Sequence, residues 1–374
     1  MNKIIKIPVI LLTLLFSLNV YSQEKDIQVP FKLLTHFILV KVKVNNSPAD
    51  YIFIVDTGGL TFIDKKLATE LKLKQQGMMA KVNELDLNGN TINNIFCFTN
   101  FNFDHLKKLG IPIHGIIGSD LLERFKVNFD FRSNIITLIN DSSDLKTPEN
   151  AYYFKFRNHP INNAPIVKFK LNGEEFEGMI DTGQPYHLVF PLNTFEKNKE
   201  NIVSEYLRSN GLMVKWPNTK ADYNYLAKFR NFEFGSLKLN SVTGIYGELP
   251  RMLSMPFIGM DLLSRFNITI NFPKDEMVLL PDENIKLDEN YFSWGFNPDV
   301  SEDGKIFILG VLENSPAYNA GIRPNDEIIS FNSKNTSLDN MIDLLKMVKD
   351  DNIQSVELEI KGKGKIRLEK EHLF

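Results

Sequence analysis

The tripeptide Asp-Thr-Gly occurs twice, at 56–58 and 181–183, each time at the end of an apolar run: Phe53-Ile54-Val55 before the first and Met179-Ile180 before the second. A lone copy says little, because Asp and Gly favour tight turns in any protein. Two carboxyls held side by side carry a specific chemistry. At about 3 Å apart they cannot both ionise, so they share one proton and titrate as a pair, one taking a proton from water while the other gives one to a carbonyl oxygen. Hydrolysis by that route needs no metal ion, no organic cofactor and no covalent intermediate. Asp56 and Asp181 are the candidate catalytic pair. The hydroxyls of Thr57 and Thr182 can bond to the backbone of the opposite loop, and Gly58 and Gly183 leave room for two backbones to approach closely. A plainer reading treats both tripeptides as turns between strands.

Two such loops need two similar frames to position them, and the sequence contains both. Residues 117–131 (IGSDLLERFKVNFDF) recur as 258–272 (IGMDLLSRFNITINF), with eight of fifteen positions identical. Upstream, 38–59 and 165–184 share an alternating strand, a turn rich in Asn, Gly or Ser, and an apolar strand ending in D-T-G. The Asp precedes the motif Gly by 62 residues in the first copy and 78 in the second, so the repeat unit is a domain-sized lobe and not a solenoid turn. Lobes facing one another about a pseudo-twofold axis would bring Asp56 to Asp181. Asp120 and Asp261, also repeated, read as N-caps of short helices, with Arg124 and Arg265 in the first turns.

Polar, turn-rich stretches at 140–151 and 281–290 divide the chain into units at 24–142, 150–282 and 288–374. Strand patterns dominate, and helical periodicity is confined to 193–210 and to 337–349, the latter opened by Ser337 as N-cap. A hydrophobic fraction of 43% with 24% charged residues excludes a disordered chain. Residues 1–22 read as a cleavable export signal: Lys3 and Lys6, an apolar stretch from Ile7 to Leu18, and Val20-Tyr21-Ser22 as the cleavage site. Its removal takes the formal charge from −3 to −5, and no Lys/Arg block is long enough for a nucleic-acid surface. The apolar run falls short of the roughly 20 residues that a bilayer crossing requires. The mature chain is therefore expected in an extracytoplasmic space, periplasmic or secreted, without stable membrane insertion. Cys97, the single cysteine, lies in an apolar run and reads as a buried small hydrophobe, while six scattered His lack metal-ligand spacing.

The repeated frames resemble the retropepsin-like aspartic proteases over the first two thirds of the mature chain. The matching parts of one lobe are 54–59 (IVDTGG), a candidate flap near Gln76-Gly77-Met78-Met79, and 116–118 (IIG); those of the other are 179–184 (MIDTGQ), Gly211-Leu212-Met213 and 257–259 (FIG). The resemblance implies a mainly β protein with two lobes in one chain, and an aspartic endopeptidase acting on a peptide or protein substrate. It makes Asp56 and Asp181 catalytic, with Thr57, Gly58, Thr182 and Gly183 as active-site support. The sequence departs from the family pattern at Gln184, where Ala, Ser or Thr is usual, and in flaps that lack a Gly-rich tip. An exported, catalytically inactive peptide-binding protein on the same fold is the alternative.

Residues 291–374 resemble a PDZ domain of the kind attached to bacterial exported proteases, through a strand, S-P-A at 315–317, A-G-I at 320–322 and D-E-I at 326–328. Asn314 and Asn325 stand where Gly is usual, and Asn tolerates the left-handed backbone those turns require. The resemblance implies an α+β domain that takes an extended peptide as an added strand. It catches the peptide's terminal carboxylate on the loop around Trp294, Gly295 and Phe296, with helix 337–349 as the other wall. A domain that only braces the lobes is the second reading.

Overall fold

The computed structural model describes residues 26–141, 143–216, 220–250, 254–282 and 291–374, so the expected export signal and most of the second connector lie outside it. Period-two alternation builds most of what is described: in Ile27–Phe31 and again in Ser355–Ile360, every second side chain is buried. The result is mainly β, with two lobes and a smaller α+β unit.

The repeat seen in the sequence returns as a repeat in strand order. In the first lobe the neighbours run Phe37–Val44, Tyr51–Asp56, Gly115–Gly118, Phe62–Ile63, Asn90–Phe98, Met79–Leu87, Lys74–Gln76. In the second they run Pro165–Leu171, Glu174–Ile180, Phe257–Ile258, Leu188–Pro191, Leu237–Gly247, Tyr225–Phe234, Val203–Gly211. Position for position the two orders correspond. In each lobe the D-T-G strand runs parallel to the strand ending in the motif Gly, Asp56 lying opposite Gly118 and Ile180 opposite Ile258.

The tails of the two repeat copies, Lys126–Asp130 and Phe266–Asn271, pair antiparallel with each other, Phe129 opposite Ile268 and Val127 opposite Ile270. All four side chains are fully buried, so the lobes share one sheet and one apolar core across the pseudo-twofold axis. In the second lobe Phe169, Phe176, Phe190, Phe229 and Phe232 pack with ring centroids 5.1–6.3 Å apart.

Two expectations change. The helix read over 193–210 covers only Phe195–Ile202, and from Val203 the chain is a strand to Gly211. Its charged residues suit a helix, but Val203–Arg208 find partners in Tyr225–Phe234, and long-range pairing overrides local preference. Asp120 and Asp261 are not N-caps. Gly118 and Gly259 occupy the cap positions of helices Ser119–Leu122 and Met260–Leu263, and each Asp sits two residues further in, within the first turn, its carboxylate directed to a partner outside the helix.

The C-terminal unit holds strands Phe296–Val300, Ile306–Leu312, Ile328–Phe331, Ser355–Ile360 and Gly364–Glu369, with helices Pro316–Asn319 and Leu338–Lys349. Ser315 caps the short helix by accepting from the Tyr318 N–H at 3.3 Å, with Pro316 in the first turn. Asn314 and Asn325 take the left-handed conformation expected of them, at φ 61° and 70°. Helix Leu338–Lys349 begins as predicted, the Ser337 N–H donating to Asn340 Oδ1 at 2.9 Å. One edge of Ile306–Leu312 pairs with Phe296–Val300, and the end of the other pairs with Ser209–Gly211, which carries the second lobe's sheet into this unit.

Candidate active site

Each D-T-G loop leaves its strand in the same way. The Gly58 N–H donates to Asp56 Oδ1 at 2.8 Å and the Gly183 N–H to Asp181 Oδ1 at 2.8 Å, while the N–H groups of Gly59 and Gln184 donate to the Asp carbonyls at 3.3 Å. These bonds orient both carboxyls from their own backbone.

Between the loops the two buried Thr side chains form a reciprocal lock. Thr57 Oγ1 donates to Ile180 O at 2.8 Å and accepts from the Thr182 N–H at 3.1 Å; Thr182 Oγ1 donates to Val55 O at 3.0 Å and accepts from the Thr57 N–H at 3.0 Å. Two buried backbone groups of each lobe, Val55 O and the Thr57 N–H in one and Ile180 O and the Thr182 N–H in the other, are thus bonded to a hydroxyl of the opposite lobe. A Cβ at Gly58 would lie 2.4 Å from Asp181 Cγ, and one at Gly183 would lie 2.7 Å from Asp56 Cγ. Each glycine therefore marks where one lobe touches the carboxyl of the other, which places the two carboxyls within reach of one another.

Burial raises Asp56 above the ordinary carboxylate range, against the pull of surrounding N–H groups. Burial and then the negative charge of Asp56 hold Asp181 well above that range. A half-protonated pair is what these surroundings favour.

Several supporting residues carry no sequence signal. Asn162 of the second lobe donates from Nδ2 to Gly58 O at 2.6 Å, and Ser119 Oγ donates to Thr57 O at 2.7 Å. His36, at the turn of the first hairpin, bonds to the Gly183 backbone, and burial lowers its pKa to about 3, so the ring is neutral. Ser119 stands at the variable place of the repeated motif, where the second copy has Met260, and His36 and Asn162 lie outside both repeated stretches.

The repeated acids have different partners. Asp120 Oδ1 accepts from the N–H and Oγ1 of Thr61 at 2.8 and 2.7 Å, bracing the loop after Asp56. The corresponding position after Asp181 is Tyr186, whose hydroxyl donates to Met213 O at 2.7 Å. Asp261 instead meets Lys349 of the C-terminal unit, Oδ2 to Nζ 3.2 Å. Gln184 is buried at 4% exposure and its Oε1 has no hydrogen-bond partner. His187 pairs with Thr243 Oγ1 at 3.2 Å, and burial lowers it to about 4. Gln76 to Met79 form a hairpin turn between Lys74–Gln76 and Met79–Leu87, with Met78 exposed. Gly211 and Leu212, the other candidate flap, are held by the C-terminal unit, the Leu212 N–H donating to Leu309 O at 3.0 Å. Tyr225 stacks on Phe195 at 3.7 Å, and Trp216 packs against Gly247.

Residues 307–362 match the family model described as the PDZ domain. The C-terminal unit is a PDZ domain. The carboxy-terminal processing protease CtpB of Bacillus subtilis (strain 168) is 36% identical over 63 residues, which are 17% of this chain and 13% of that protein. The chain thus matches only a small share of that relative's length. Among solved structures, the aspartic proteinase from Irpex lacteus aligns over 71% of this chain and 100% of its own, with a TM-score of 0.45 and 13% identity. Basic 7S globulin from soybean aligns over 70% and 97%, with a TM-score of 0.42 and 8% identity. Within the PDZ domain, Trp294 and Phe296 are 1% exposed and stack in its core at 6.0 Å. Gly295 is left-handed at φ 83°, against Ser315, and its N–H donates to Ser293 Oγ at 3.0 Å. The side chains of Trp294 and Phe296 thus build the core of the domain.

Proposed function

We propose that the chain is an aspartic-type endopeptidase in which Asp56 and Asp181 share one proton and act together on one water molecule. The observation that carries this reading is the apposition of the two carboxyls across the lobe interface, each against the other lobe's glycine. The ionised member takes a proton from water as it attacks the scissile carbonyl carbon, and the protonated member gives its proton to the carbonyl oxygen. When the tetrahedral intermediate collapses, the carboxyl that took the water's proton gives it to the leaving nitrogen, the other takes a proton from a hydroxyl of the intermediate, and the pair again holds one proton. Thr57, Thr182, Gly58 and Gly183 hold the pair in register. The PDZ domain supplies peptide recognition beside Phe296–Val300, and the signal-like start supports export to a periplasmic or external space.

A second reading, a peptide-binding protein that does not cut, draws on Gln184, whose buried side chain fills a position usually held by a small residue. Mature protein incubated with a diverse peptide library across acidic to neutral pH distinguishes the two. Cleavage that disappears in both Asp56→Asn and Asp181→Asn is the expected result; folded wild type that cuts nothing at any pH sinks the endopeptidase.

A further inference from the structure

Helix Leu338–Lys349 touches both lobes. Toward its N-terminal end, Ile342 packs against the first-lobe cluster that includes Ile54, Phe103 and Ile111, and Ile54 lies on the strand that ends in Asp56. At its C-terminal end, Lys349 Nζ reaches Asp261 Oδ2 of the second lobe at 3.2 Å and stands 5.2 Å from the ring centroid of Tyr186, on the loop that follows Asp181. Twelve helical residues span about 18 Å, and the two contacts lie about 10 Å apart along the helix, at Ile342 and Lys349.

The same helix is one wall of the PDZ groove, and the other wall is the free edge of Phe296–Val300, whose opposite edge is paired with Ile306–Leu312. An extended peptide would add along that free edge. Here the first-lobe segment 104–110 touches both walls. His105 Nε2 lies 3.4 Å from Oδ1 of the buried Asp299 on the strand. Leu109 packs against the PDZ core, and a Cβ at Gly110 would stand 3.4 Å from Leu338 O and 3.9 Å from Ile342 Cβ on the helix. The segment is also anchored in its own lobe, Lys107 pairing with Asp64.

We propose that segment 104–110 occupies the PDZ groove in cis and holds helix Leu338–Lys349 as a strap across the two lobes. A peptide that enters the groove must displace the segment, which frees the helix from the first lobe. The docking stands on contacts alone; its consequence for cleavage rests on the endopeptidase reading.

The test uses the full mature chain. His105→Ala with Leu109→Asp should release the segment. Gly110→Cys with Ile342→Cys should lock it when oxidised, because 3.9 Å between Cβ atoms lies in the range a disulfide spans; Gly110 is left-handed at φ 80°, so the reduced form of the same variant is the reference for the lock. Binding of fluorescent hexapeptides with free C-terminal carboxylates is followed by anisotropy in an Asp56→Asn background, so that no probe is consumed. The release variant is expected to bind roughly tenfold more tightly than the unreleased chain, as when the competent state is a one-in-ten minority, and the oxidised lock more weakly until it is reduced. Hydrogen exchange in 296–300 should rise on release and fall on locking.

A release variant that binds no better than the unreleased chain, with exchange in 296–300 unchanged on release and on locking, overturns the docking. With Asp56 restored, cleavage of the peptide library should be faster in the release variant than in the wild type. Release that leaves an active enzyme's rate unchanged overturns the strap. Binding and exchange that respond as expected, in a chain that never cuts, uphold the docking and overturn the endopeptidase.

Discussion

At the scale of single residues, the raised pKa of Asp181 ties stability to pH in a definite direction. Folding raises the Asp181 pKa, so the folded state keeps a proton that the unfolded chain releases near the ordinary Asp value of about 4. That contribution is full below the ordinary value and is lost as pH rises through the raised one. Asp181→Asn cannot ionise and escapes the loss, so its melting temperature should exceed the wild type's at neutral pH, with a margin that shrinks as pH falls toward about 4. A thermal melt series in both proteins reads this directly, and equal margins at every pH would count against the raised pKa. Replacing Thr57 or Thr182 by Val keeps the shape but strands the backbone groups of the other lobe, at about 1–3 kcal/mol for each buried group left unpaired. Urea unfolding of each single variant should show that loss. Burial pushes the Cys97 thiol up to about 12, so it should resist alkylation at pH 8 in the native state and react once unfolded. The adjacency of the two Asp is legible because a repeated frame implies a repeated placement. His36 and Asn162 are not, since only the tertiary path brings them to Gly183 and Gly58.

Elements were legible wherever one rule acted alone. Period-two strands, the Ser337 cap and the two Asn turns need only local chemistry, and all appear in the structure. Residues 203–211 obeyed two rules at once, a charged, helix-compatible composition and a strand's partners on both edges, and the partners lie too far along the chain to be read locally. The same strand gives an element-scale prediction. Gly211 is left-handed at φ 74°, and a Cβ there would stand 2.2 Å from Leu309 O, while one at Gly310 would stand 2.5 Å from Leu212 O. Gly211→Ala should cost about 1–2 kcal/mol from backbone conformation, with the clash added. Hydrogen exchange should rise in 306–312 and 203–211 while the lobe interface stays protected; uniform protection in the variant would mean that this junction does not need its glycines.

For the molecule as a whole, the shared sheet means that the lobes are halves of one folding unit. Cutting the chain within 144–150 should leave both fragments together in size-exclusion chromatography, since Lys126–Asp130 still pairs with Phe266–Asn271 and the Thr lock needs no covalent link. Fragments that elute separately would show that the connector, not the interface, holds them. The unequal duties of Asp120 and Asp261 have a wider meaning. In a dimer of identical subunits, any residue recruited to grip a third body is changed in both halves, and the loop it braced is weakened twice. Joining the halves in one chain removes that constraint. Here one copy holds Thr61, and the other, with Tyr186 in the corresponding place, pairs with Lys349. A single off-axis domain can therefore bear on a nearly symmetric site from one side only, and the site acquires a front and a back.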